Sequence, residues 1–381
     1  MEANPAVSMA SYFAGIEDPR IDRTKDHKLF DIIVIAICAV ICGANDWEAV
    51  AEFGRAREGW FKTFLELPHG IPAHDTFWRV FRVLDPDQFQ SSFVNWMAAV
   101  SERVGGEVIA MDGKTLRRSH DRGIGQAAIH MISAWASVNH LVLGQRKVDE
   151  KSNEITAIPE LLRILDLSGC IVTIDALGCQ ATIADAIVAQ EGDYLLQLKQ
   201  NQGNLYEDVE LLFADLEASR YRAYPYTTSK TVDKNHGRIE IRQAWTISDP
   251  KVIAGLRNSQ RFAGLRTVMQ VRLERRVDKT VSVEHRYYIS SSTASAHKLL
   301  AAKRSHWQIE NSVHWILDIA FREDDSRLRK DHGPQNFAIL RHIALNLLKH
   351  ETTCRLGTHN KRLKAAWDHD YLFKVLSTLF H

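Results

Sequence analysis

The chain has 381 residues and a formal charge of +1, from 48 Lys plus Arg against 47 Asp plus Glu, with 45% hydrophobic and 25% charged residues. These are ordinary globular proportions at more than twice the usual domain length of roughly 150 residues, and they exclude a disordered chain, a collagen-like repeat and a disulfide scaffold. There is no net basic excess of the kind that replaces counterions on DNA, so any nucleic-acid contact must come from local separation of charge.

Residues 1–105 read as an N-terminal helical domain. Apolar residues recur at helical spacing through DHKLFDIIVIAICAVICGA, DWEAVAEFGRAREGWFKTFLEL and HDTFWRVFRVLD. Asp46 and Asp75 fit N-cap or first-turn positions, and Pro72 punctuates the chain before the third helix. In that helix Phe77, Val80, Phe81 and Leu84 form a core stripe and leave Arg79 and Arg82 outside. The longest uncharged apolar run, residues 32–42, falls short of the roughly 20 residues that cross a bilayer. No export signal is visible in the first twenty residues. Cys38, Cys42, Cys170, Cys179 and Cys354 contain no C-x-x-C pair and fit a reducing cytoplasm. Cys38 and Cys42 share a helical face and read as small core residues, and no zinc site is expected.

Residues 106–200 change rhythm. EVIAMDGK is a short apolar strand ending in a polar turn, and HMISAWASVNHLVLGQRKV reads as two strands joined near Asn139 and His140. A helix (ITAIPELLRILDL), a strand (GCIVTIDA), a helix (TIADAIVAQEG) and a strand (DYLLQLKQ) follow, an α/β order around a mixed sheet. Residues 201–292 pass from NLYEDVELLFADLEA into the alternating segments GRIEIRQAWTI, LRTVMQVRLERRV and TVSVEHRYYIS, a β-rich insertion. Residues 293–381 return to helical spacing and end in a basic tail. From residue 298 onward, 14 Lys plus Arg stand against 9 Asp plus Glu.

Gly113-Lys114-Thr115 looks like the end of a phosphate-cradling loop, but the first glycine of that motif would fall on Val108. The glycines of Gly123-Ile124-Gly125 follow the charged LRRSHDRG and not a strand, so they read as a flexible loop instead of a dinucleotide fingerprint. Neither a G-x-S-x-G elbow nor an H-E-x-x-H helix occurs.

Three carboxylates carry more. Asp112 ends the run VIAM and Asp175 ends IVTI, the strand-end position at which open α/β sheets build sites. Either acid alone is as well explained as the cap of the following turn. Glu310 lies on a helix whose same face carries His306, Trp307 and His314, with Ile309, Ile316, Leu317 and Ile319 as packing surface and Trp315 open to either role. A domain interface is the competing reading of that stripe. Three carboxylates without thiolates suit Mg2+ or Mn2+, and a pair of such ions implies phosphoryl transfer.

The strings AMDGK, IDALGCQ and HWQIEN, in that order and with a β-rich stretch between the second and third acids, resemble the DDE transposases of bacterial insertion sequences. Within them the chain is most similar to the H-repeat-associated (ISAs) branch. The likeness runs over nearly the whole chain, including DHKLFDIIVIAICAVICGANDW, PAHDTFWRVF, KSNEI, HGRIEIR and HWILDIAFREDDSR. It implies a ribonuclease-H-like mixed-sheet core made of residues 106–200 and 293–381, interrupted by the insertion domain 201–292 and preceded by the helical domain 1–105, a candidate DNA-end-binding domain. It implies Asp112, Asp175 and Glu310 as the metal-binding catalytic triad, with Mg2+ as cofactor and Mn2+ able to substitute. It further implies cleavage of double-stranded DNA at the element's terminal inverted repeats, then strand transfer, by a homodimer in a synaptic complex, in the cytoplasm at the nucleoid and away from membranes. Where the larger superfamily places accessory Tyr, Arg and Lys around the third acid, this chain has Lys303, His306 and Leu317, so His306 becomes the candidate phosphate contact.

The other candidate DNA contacts are Lys114, Arg117, Arg118, Lys199, Arg238, Arg304, Trp307, Asn311 and His314, with Arg79 and Arg82 on a candidate recognition helix. His120 and Arg122 extend the first cluster, for which a solvated loop competes. Arg238, Glu240 and Arg242 share one face of a strand that also includes His236, which makes an internal ion pair the competing reading there. A host DNA nuclease on the same core, or an inactive DNA-binding relic, are the alternative functions.

Overall fold

A computed structural model describes residues 9, 11–100, 107–120, 128–148, 154–235, 237–278 and 280–377. The readings placed on Arg122, Gly123 to Gly125, His236 and the first residues of the chain lie outside the described residues. The N-terminal part holds the helices α1 (Leu29–Ile41), α2 (Trp47–Ala56), α3 (Glu58–Phe61), α4 (His74–Val83) and α5 (Pro86–Val100). Then follow β1 (Val108–Thr115), β2 (His130–Ala136), β3 (Leu141–Val148), α6 (Glu154–Leu162), β4 (Ile171–Ile174), α7 (Ala181–Val188) and β5 (Asp193–Leu198). The β-rich stretch holds α8 (Asn204–Ala218), β6 (Thr227–Asn235), β7 (Arg238–Ile247), α9 (Pro250–Gly255), β8 (Thr267–Val277) and β9 (Thr280–Ser290). The chain closes with α10 (Ala296–His306), a π-helical turn (Glu310–His314), α11 (Trp315–Ile319), α12 (Gly333–His350), α13 (Thr358–Trp367) and α14 (His369–Ser377).

Two compact units form, one from residues 1–102, 113–153 and 310–381, the other from residues 103–112 and 154–309. The first is organised by α12, which is buried on all sides from Gly333 to Leu348, as a helix must be when apolar residues surround its axis. It packs against α1, itself buried from Asp31 to Ile41, and against α4, α5 and β3. Polar groups taken into this core are spent on backbone that would otherwise be unpaired. Asn336 donates to the carbonyls of Phe81 and Leu84 at 2.8 and 2.9 Å, where α4 runs out of its own partners. Asn346 donates to the Val142 carbonyl and accepts from the Val142 N–H, both at 2.9 Å, and so acts on β3 as a further strand would. Arg362 of α13 donates to the carbonyls of Val40, at 2.8 Å, and Ala320. Asp46 caps α2 by accepting from the Ala49 N–H at 2.8 Å, as its position before an apolar run indicates. Of the two cysteines read as core residues, Cys38 is fully buried and Cys42 partly so, and burial pushes the Cys42 thiol up to about 12.

In the second unit seven strands make one mixed sheet in the order β1-β4-β5-β9-β8-β7-β6. β1, β4 and β5 run parallel, with Met111 opposite Ile174 and Ile174 opposite Leu196. Every residue of β4 is buried, as in parallel strands covered on both faces. β9 returns antiparallel to β5, with Leu196 opposite Ile289, and β8, β7 and β6 continue as a meander. β9 is exposed from Thr280 to His285 and buried from Tyr287 to Ser290, so the meander is anchored at one end and solvated at the other. Val108, Ile171, Leu195, Met269 and Tyr288 pack with Leu299 and Leu300 of α10 to form the core. The mixed sheet, the helices before it and the β-rich stretch are the architecture expected from the sequence. Among the described residues, no helix is long and apolar enough to cross a membrane.

Replacing Asn346 by Leu keeps the apolar volume but strands both polar groups of buried Val142. The expected loss is about 1–3 kcal/mol, read as a lower midpoint in urea unfolding with an unchanged slope.

Candidate active site

Asp112 and Asp175 each follow the last registered pair of β1 and β4, Met111 opposite Ile174, on neighbouring parallel strands of the second unit. Only Asp175 stands at a strand end: β4 stops at Ile174, whereas β1 continues through Asp112 to Thr115, so the polar turn expected at Asp112 to Lys114 is strand instead, and Asp112 is placed by the end of its pairing with β4. Asp175 also does what the competing reading proposed: its Oδ1 accepts from the N–H groups of Leu177 at 3.0 Å and Gly178 at 3.4 Å, capping the short 3-10 turn Ala176–Gly178. Both bonds use one oxygen, and among the described residues Oδ2 has no partner. Glycine at 178 is required by space, because a Cβ there would lie 2.2 Å from Ile174 Cγ2, on the residue that precedes Asp175. Thr173 Oγ1, two residues before Asp175 and so on the same face of β4, bonds His306 Nδ1 at 3.2 Å.

Other candidates of this unit divide into paired and open groups. Arg304 donates to Asp233 at 2.9 Å, Arg238 pairs with Glu240 at 2.9 Å, and Arg242 pairs with Asp233 and Glu240. The internal ion pairs weighed from the alternation of β7 are thus present. Lys199, just past β5, is exposed, as is Trp307.

In the first unit Glu310 begins the π-helical turn, a deviation often found at functional sites. Its carboxyl is exposed, and Oε2 bonds Nδ1 of buried His314 at 3.1 Å. Asn311 is exposed. Ile319 is not the packing residue expected of it: it is 59% exposed while Val313 and Leu317 are fully buried. It stands two residues past Leu317, about 200° round the helix, and so faces the other way. Trp315 shares the exposed side.

Lys114, Arg117 and Arg118 meet an acidic run that no local motif announced. Lys114 bonds Asp318 and Glu323, the latter at 2.8 Å; Arg117 pairs with Asp324 at 3.1 Å and Arg118 with Asp325 at 3.5 Å. Glu323 is buried and also faces Arg341 at 3.6 Å. Burial alone would raise its pKa, but Lys114 and Arg341 hold it below the ordinary carboxylate value. Burial likewise works against the Lys114 ammonium, and Glu323 and Asp318 outweigh it, so its pKa is raised. The only sequence signal for this cluster was opposite charge in KTLRR and REDDSR, some 200 residues apart.

Lys114→Met removes one side of a buried ion cluster and leaves Glu323 under-compensated. The expected cost is about 3 kcal/mol or more, whereas Arg117→Gln, at a side chain 79% exposed, should change the unfolding free energy by less than about 1 kcal/mol. His342, fully buried next to this cluster, is pushed down to about 4 by desolvation, against the pull of Glu323. Its folded pKa lies below the ordinary 6.5, so between those values the unfolded chain binds a proton that the fold refuses. That contribution to stability is complete above pH 6.5 and is lost as the pH falls toward 4. The melting temperature should drop across this window, and His342→Gln should flatten the drop.

Comparison with known proteins bears on the whole chain. Residues 10–97 match the family described as DDE_Tnp_1-associated, and residues 104–347 match the family described as Transposase DDE domain. The chain is 40% identical over 369 residues to "H repeat-associated putative transposase YhhI" of Escherichia coli K12, covering 95% of this chain and 96% of that one. It is 39% identical to "Putative transposase YncI" of Escherichia coli O157:H7, covering 97% of this chain and 95% of that one. Among solved structures, the piggyBac transposase synaptic complex with hairpin DNA overlays with a TM-score of 0.43 at 10% identity, over 98% of this chain and 80% of that one, a likeness too slight to carry an argument.

Proposed function

We propose, for a chain that belongs to the DDE transposase family in its H repeat-associated type, that Asp112, Asp175 and Glu310 form the catalytic triad that cuts and joins DNA at the terminal inverted repeats of an insertion sequence. The observation that carries this reading is the pair of carboxylates after the last registered residues of β1 and β4. The donor set fits a hard divalent cation, Mg2+ or Mn2+: all three ligands are carboxylates, Oδ2 of Asp175 is uncommitted among the described residues, and the Glu310 carboxyl is exposed. Bound there, a pair of such ions supplies activation of the attacking hydroxyl and stabilisation of the leaving oxygen.

The chain's own residues do the rest. His314 orients Glu310 through Nδ1, and His306, braced by Thr173, offers its imidazole to a phosphate of the scissile strand. Trp307 and Trp315 present indoles to unstacked bases. Lys199 and Asn311 are open for backbone contacts. Lys114, Arg117, Arg118, Arg238 and Arg304 reach a phosphate only by releasing a carboxylate partner. Residues 1–105 are proposed to bind the element's ends, and a homodimer to hold two ends together in the cytoplasm.

Cleavage of labelled terminal-repeat DNA in Mg2+ tests the reading. Asp112→Asn, Asp175→Asn and Glu310→Gln should each lower the rate at least about a hundredfold; parental rates in any one of them would remove that residue from the triad. Joined products distinguish a transposase from a nuclease that only cuts.

A further inference from the structure

The first unit contains a cavity of about 190 Å³ lined by Trp47, Trp78, Arg82, Arg327, Arg329 and Lys330. It is smaller than the roughly 300–1,000 Å³ that takes a drug-sized ligand, so it has room for one ring system or one phosphate group, not a duplex. Its walls are fixed. Trp47 stacks on Phe81 with ring centroids 4.8 Å apart and meets Phe337 edge-on at 4.9 Å. The Arg82 carbonyl accepts from the His332 N–H at 3.2 Å, joining α4 to the segment that supplies the other cations.

Of charged groups the lining carries cations only, although a carboxylate just outside it, Asp331, neutralises one of them. Arg82 lies over the Trp78 ring at 4.7 Å and pairs with Asp331 at 2.8 Å, and Arg329 donates to the Arg118 carbonyl at 3.1 Å. Arg327 and Lys330 have no side-chain partner among the described residues. No carboxylate lines the cavity. Three of the four lining cations, Arg327, Arg329 and Lys330, have no carboxylate partner among the described residues: like charges gathered on a concave wall raise the local potential and favour an anion there. Arginine and lysine hold phosphodiester oxygens, and an indole face stacks a base of any sequence. Arg79, exposed on α4 one residue past Trp78, extends the basic surface toward a longer strand.

We propose that this cavity is a single-nucleotide subsite for DNA, in which Arg327 and Lys330 hold a phosphate and the adjoining base packs on Trp78. It rests on the reading of the protein as one that processes DNA, but uses none of the catalytic acids.

The test is binding of the full-length chain to a fluorescein-labelled terminal-repeat duplex with an unpaired end, without Mg2+, across a salt series. Arg327→Gln with Lys330→Gln, both partnerless and without a share in the core, should keep the parental melting temperature. The pair should weaken duplex binding at least tenfold and lower the slope of log affinity against log salt by about two, one for each lost phosphate contact. Trp78→Leu should weaken binding about fivefold or more with the slope unchanged. Parental affinity and slope in the double variant would overturn the proposal. So would saturable binding of free deoxyadenosine monophosphate that the double variant abolishes while duplex binding stays parental. The two readings fail separately: the Asp112→Asn chain tests the triad by cleavage, and its duplex binding, through an untouched cavity, tests this subsite.

Discussion

A carboxylate buried as deeply as that of Glu323 has to be compensated, and much of the first unit is arranged to do it. Desolvating one charge costs several kcal/mol, which a counter-charge repays only at close range and with its own bonds satisfied. Lys114 and Arg341 are those counter-charges. Lys114 stands two residues beyond Asp112, and Glu323 thirteen beyond Glu310, so the compensation dictates where the chain goes directly after each of these acids. Arg341 belongs to α12, the most buried helix of the unit. One electrostatic requirement therefore ties the segments that follow these candidate acids to a fully buried helix.

What was legible in the sequence were features that depend on neighbours. The apolar runs before Asp112 and Asp175 announced two parallel strands, because strands buried on both faces read as unbroken hydrophobic stretches, although β1 continues past Asp112 to Thr115. Asp46 announced its helix start, and the stripe of Phe77, Val80 and Phe81 its buried face. What was not legible depends on distant partners or on local geometry with the same period. A π-helical turn and an α-helical turn carry nearly the same apolar spacing, so the irregularity at Glu310 left no mark, and Ile319 was read as packing. The split of α2 from α3, and α5 as a separate helix, also went unnamed. The fates of Lys114, Arg238 and Arg304 turned on which carboxylate they would find after folding, and charge counting along the chain cannot assign such pairs.

That pairing changes what the near-neutral net charge means. Most of the candidate DNA-contacting cations are already held by carboxylates, so on the proposed reading they would exchange one anion for another, and such an exchange gains little at exposed positions. Arg327 and Lys330 have no carboxylate partner among the described residues, so in the proposed subsite they would bind a phosphate without first giving up an ion pair.

Gly178 gives the second unit an unusual point of fragility. Because any side chain there runs into Ile174, which leads into Asp175, a single substitution can displace one carboxylate of the proposed triad while leaving all three acids in the sequence. On the proposed triad, a gene copy altered at this turn keeps all three acids but not their placement, and a survey that counts only the acids does not see the difference. A more faithful census would read the small residue at the turn along with the charged ones.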